Sequence, residues 1–66
     1  MNKTEIVDSV FQEIQAWQHF NKKQGIEYKS IKKEKQAFLR EQQMLCYPFE
    51  SIKDAVELYF KQNVSK

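Results

Sequence analysis

The chain has 66 residues, 41% of them hydrophobic and 30% charged, with a formal net charge of +2. That length leaves room for one core and so for a single domain, 1–66, and the composition is that of a globular chain rather than a disordered tail. One Cys, no run of 18 or more apolar residues and no signal-type apolar segment exclude an internal disulfide and a helical membrane span, and they point to residence in a reducing cytoplasm.

The first segment places Ile6, Val7, Val10, Phe11, Ile14 and Trp17 on one side of a helix over 4–23, with Glu5, Asp8, Gln12, Gln15 and His19 on the other. Asn2 or Thr4 is suited to cap its start. Lys22 and Lys23 favour the negative end of the helix dipole, and Gly25 can take the left-handed conformation that closes a helix. Ile26 would then sit next to Phe20 in a Schellman-type ending.

A second helix is predicted over 29–45, with Tyr28, Ile31, Phe38 and Leu45 on its core side. Lys35 and Gln42 interrupt that stripe, which argues against a long coiled coil. Pro48 biases Tyr47 towards extended backbone and ends the helix near Leu45 or Cys46. The third helix, over 51–63, gathers Phe49, Ile52, Ala55, Val56, Tyr59 and Phe60 on one face. Ser51 and Asp54 have the spacing of a capping box. The expected fold is therefore all-α, a compact three-helix bundle.

Charge is distributed unevenly along this frame. Residues 1–21 carry Lys3 against Glu5, Asp8 and Glu13, net −2. Residues 22–40 carry seven Lys or Arg against Glu27 and Glu34, net +5, and residues 41–66 carry three Lys against four acids, net −1. Within the middle helix Lys29, Lys33, Gln36 and Arg40 fall on one line, flanked by Lys32 and Gln43 and opposite the apolar stripe. Like charges at this spacing cost an isolated helix only ~0.2–0.5 kcal/mol per pair. A solvated face is thus as good an account as a docking surface for an anion. If the face binds, its target is an acidic protein surface or nucleic-acid phosphates, and the latter would weaken steeply with salt. Ala37, Met44 and Leu58 lie off both stripes and suit a protein interface or a homodimer contact, against the plainer account of edge-of-core packing.

Phe20, Gly25, Ile26 and Ile31 fit a helix-turn-helix in part, while Gln24 and Glu34 stand where that motif favours apolar side chains. Catalytic chemistry is poorly provided for. His19 is predicted on the solvated side, and Cys46 reads as a small buried or half-buried hydrophobe. One Cys and one His do not complete a zinc site, no Glu-x-x-His pair suits a di-iron centre, and Gly25 alone makes no phosphate loop. The aromatics read as core anchors. The expectation is a protein without enzymatic activity, cofactor, metal or small-molecule substrate. It would act as an accessory or inhibitory regulator of a larger protein, of the kind phages and other mobile elements encode. The alternative is a DNA- or RNA-binding regulator that uses the middle helix.

Overall fold

The structure, a computed structural model, describes residues 3–42, 44 and 46–63. Three helices account for most of them: α1 (Lys3–Gln24), α2 (Ile31–Glu41) and α3 (Phe49–Asn63). In α1 the residues Ile6, Val10 and Ile14 recur every four positions and are buried, with Val7, Phe11 and Trp17 half-buried beside them. The stripe ends on a polar residue, Asn21, which is buried although its Nδ2 has no hydrogen-bond partner. A buried unpaired donor costs about 1–3 kcal/mol.

Gly25 ends α1 as its position predicts. Its φ is +75°, its N–H donates to Lys22 O at 3.2 Å, and the Ile26 N–H donates to Asn21 O at 2.9 Å. This is the paired closure of a Schellman motif. Phe20 and Ile26, expected to cover one another there, remain 57% and 43% exposed. Thr4 lies inside the first turn of α1 rather than capping it, and Asn2 lies outside the described residues.

α2 is shorter than predicted at both ends. Ser30 is its N-cap, with extended backbone and an Oγ that accepts the Lys33 N–H at 3.2 Å, so Tyr28 and Lys29 precede the helix. At the other end the Gln42 N–H donates to Phe38 O at 2.8 Å, while the Gln42 side chain turns back and accepts the Met44 N–H at 2.7 Å. That local bond satisfies backbone the helix would otherwise have claimed and stops α2 at Glu41. Leu45, expected in the core, lies outside the described residues.

α3 starts two residues earlier than the predicted capping box. The carbonyl of Pro48 accepts the N–H groups of Ser51 and Ile52 at 3.1 and 3.2 Å, so Ser51 sits within the first turn and does not cap it. Phe49, at the first helical position, points outward and is 51% exposed instead of joining the core. From there Ile52, Ala55, Val56, Tyr59 and Phe60 form the buried face. α3 packs mainly on α1, and the shared core of Ile6, Val10, Ile14, Ile52, Val56 and Phe60 takes from α2 chiefly Phe38. The molecule measures 35 × 26 × 16 Å. Its short axis holds about two helices at the usual 8–10 Å separation, so the three rods make a flat body.

Polar side chains complete the attachment of α2. The Tyr59 hydroxyl donates to Gln18 Oε1 at 2.8 Å, and Gln18 Nε2 donates to Glu34 Oε2 at 2.9 Å. One amide thereby links α3, α1 and α2. Aromatic edges reinforce the same region, with Phe11 against Tyr59 at 5.1 Å and Trp17 against Phe38 at 5.4 Å.

Three outcomes are expected from this architecture. Gly25→Ala meets no atom within 4 Å, so its cost is conformational, about 1 kcal/mol. Thermal circular dichroism should show a midpoint lower by ~4–8 °C, and an unchanged midpoint would remove the strain at this position. Gln18→Ala breaks both links and should destabilise the fold by about 2 kcal/mol in urea unfolding, most of it from the bond to the Glu34 carboxylate. The third concerns alkaline pH. Burial and then the nearby Glu34 charge push the Tyr59 phenol above its ordinary value of 10.0. Below pH ~10 both states keep this proton, and above it the unfolded chain releases it first, so stability falls as pH rises through the folded value. Tyr59→Phe should flatten the fall in unfolding free energy above about pH 10, and a slope equal to wild type would contradict the assignment.

Candidate functional site

On α2 both carboxylates are bonded by side chains of α1, while three of the four bases stay unpaired among the described residues. Glu34 receives Gln18, and Glu41 Oε1 accepts the indole N–H of Trp17 at 3.0 Å. Lys35, which interrupts the core stripe, pairs with Glu57 of α3 at 2.9 Å and is half-buried. Lys32, Lys33, Gln36 and Arg40 are all exposed, on the side of α2 opposite Phe38. None of the four makes an ion pair or side-chain hydrogen bond among the described residues.

Lys29 is also exposed, but it stands before the Ser30 cap and not on the helical line predicted for it. Gln43 lies outside the described residues. The surface is therefore Lys32, Lys33, Gln36 and Arg40 on the helix, extended at its N-terminal end by Lys29. Tyr28, predicted as a core residue of the helix, precedes it and stacks on Trp17 with ring centres 5.6 Å apart and planes at 21°. Burial and the charges of Glu41 and Glu34 raise its phenol above 10.0, with Arg40 acting in the opposite sense. An aromatic pair thus adjoins the Arg40 end of the basic face.

The second set of predicted residues does not assemble. Ala37 is 3% exposed and belongs to the interior, because the shorter α2 rotates its core side towards Ala37 and Phe38. Met44 is half-buried against the core and lines a cleft of about 810 Å³ between α1 and the α2–α3 connection, together with Trp17 and Tyr47. Leu58 is 39% exposed and lines a different cleft, of about 620 Å³, between α2 and α3. Burial in the interior accounts for Ala37 and edge-of-core packing for Met44, and of the three only Leu58 offers a surface.

On α2 periodicity also misplaced Ile31, expected in the core and found 41% exposed on the rim of the Leu58 cleft. The interruption of its stripe by Lys35 was the available signal. Phe20, Ile26 and Ile31 are all exposed, so the apolar positions that a helix-turn-helix would bury do not form its core. Cys46 is also exposed, contrary to expectation. Its neighbour Tyr47 takes the inward role instead, bonded through its hydroxyl to Ser9 Oγ at 3.0 Å.

His19 is exposed on α1. Among the described residues no group of three or more His, Cys, Asp or Glu side chains is placed to hold a metal ion. No helix formed by those residues is long and apolar enough to cross a membrane. No protein-family model matches the chain, and neither the curated proteins nor the solved structures contain a significant match to it.

Proposed function

We propose that this is a non-catalytic, cytoplasmic binding protein, an accessory or inhibitor that docks the basic face of α2 on an acidic surface of a larger protein. The observation that carries this reading is the segregation of charge. Glu34 and Glu41 are hydrogen-bonded by Gln18 and Trp17, and Lys35 is neutralised by Glu57, while Lys29, Lys32, Lys33 and Arg40 stay solvated and unpaired among the described residues. Four cations around one 11-residue helix give an electrostatically complementary partner a fast encounter and a fixed register more than raw affinity. The half-buried Tyr28 beside Arg40 adds an apolar edge of the kind found in interface cores.

The second reading is a nucleic acid, favoured by the same cations and by the aromatic pair at their edge. It is the weaker one because the charge is local. The sequence pI is 8.7, short of the values above 9 typical of a nucleic-acid-binding domain, and the other two thirds of the chain are net acidic.

Lys29→Glu, Lys33→Glu and Arg40→Glu together test both. These side chains are exposed and make no ion pair among the described residues, so helical content and unfolding midpoint should stay within about 0.5 kcal/mol of wild type. A gel shift with random duplex at low and moderate salt should show no stable complex. A salt-sensitive shift that the triple variant abolishes would replace the protein partner with a nucleic acid. In chemical cross-linking from a cytoplasmic extract, wild type should recover an acidic protein that the triple variant fails to recover. Identical recovery by both would remove the basic face from the function.

A further inference from the structure

We propose that the outer stripe of α3, Asp54, Glu57, Leu58 and Lys61, together with Ile31, is a self-complementary face through which two copies of this chain pair about a twofold axis. This goes beyond the partner surface on α2 and uses different residues. The four α3 positions stand at i, i+3, i+4 and i+7, one line along two turns of helix. They line the α2–α3 cleft with Ile31 and Phe60. Leu58 and Ile31 are 39% and 41% exposed there, and Asp54 and Lys61 are exposed with no ion pair among the described residues.

The order of the charges selects the occupant. When two α3 helices lie antiparallel about the midpoint between Glu57 and Leu58, Asp54 of each copy faces Lys61 of the other, which gives two equivalent ion pairs by symmetry. A twofold interface requires this reciprocity, since whatever one patch offers it must also accept. Leu58 then meets the centre of the opposite stripe. The charges at that centre do not oppose contact, because Glu57 is already bonded to Lys35 of its own chain at 2.9 Å. A parallel pairing would instead bring like charges together at both ends.

The shape of the molecule supplies a reason for the pairing. The chain exposes 5134 Å², against about 4,500 Å² for a typical folded monomer of this mass. Covering Leu58 and Ile31 would remove part of the excess. The contact is a single 15-residue helix and the edge of its neighbour, less than the ~800 Å² per partner of a standard interface, so the dimer is weak, with a Kd on the order of 10 µM or above.

Sedimentation equilibrium of the intact chain across a concentration series up to about 1 mM is the test. Wild type should move from 8.0 kDa towards twice that mass. Asp54→Lys and Lys61→Asp each place like charges at both symmetric contacts and should each weaken self-association about tenfold. An equimolar mixture of the two variants should recover association, because a stripe that is basic at both ends then meets one that is acidic at both ends. The double variant, which only exchanges the two signs, should pair as wild type does. Circular dichroism of each variant excludes unfolding as the cause. A wild type that stays at 8.0 kDa throughout would overturn the proposal. So would single variants that associate as tightly as wild type, or a mixture no tighter than its components. Glu substitutions at Lys33 and Arg40 should leave the mass unchanged, which separates this face from the one on α2.

Discussion

The attachment of α2 to the other two helices governs the character of this molecule. Ala37 and Phe38 are the buried residues α2 contributes, whereas α1 and α3 bury whole stripes against each other. A helix with so little apolar area gains only a few kcal/mol from burial. Its place is fixed in addition by charged side chains bonded across to the neighbouring helices: Glu34 to Gln18, Glu41 to Trp17 and Lys35 to Glu57. Bonds to ionised partners are the stronger kind. Engaging both carboxylates of α2 and one of its lysines in these contacts leaves Lys32, Lys33 and Arg40 as its unpaired charges among the described residues. The basic surface is a consequence of how the helix is held.

The same economy explains the flat shape. Three helices of 22, 11 and 15 residues cannot enclose a deep interior, and a short middle helix leaves the side of α3 beyond it uncovered. Ile31 and Leu58 lie along that uncovered edge. A small domain hides a low fraction of its surface and has little stability to spare. Binding to the folded state, by a partner on α2 or by a second copy on α3, would raise that stability by mass action. The two surfaces use different residues: one is basic and lies opposite Phe38, and the other is mixed in sign and lies on α3 with Ile31 at its edge.

Asn21 is the point at which local pattern and packing disagree. It continues the stripe of Ile14 and Trp17 into the last turn of α1, and it is buried there with Nδ2 unsatisfied. Next to it the chain turns at Gly25, and Phe20 and Ile26 remain exposed. The end of α1 thus combines a buried unpaired donor with exposed apolar side chains, set against the well-bonded relay through Gln18 one turn earlier.

Periodicity was enough to read three helices, the buried faces of α1 and α3, and the turn at Gly25, because these depend on interactions within a few residues. An uninterrupted 3.6-residue repeat of large apolar side chains favours one orientation, and a left-handed closure favours glycine. The line of Lys33, Gln36 and Arg40 was legible for the same reason. The end of α2 at Glu41 is a local matter that periodicity also missed, because the Gln42 side chain competes for backbone two residues on. Tertiary structure decided what the repeat left ambiguous. It moved Tyr28 on to Trp17, and it turned Ala37 inward and Ile31 outward, because α2 rests on the α1–α3 pair at an angle set by Gln18, Glu57 and Trp17. Contacts between residues sixteen to forty-one positions apart leave no trace in local spacing, and they determined which cations and which apolar side chains this protein presents.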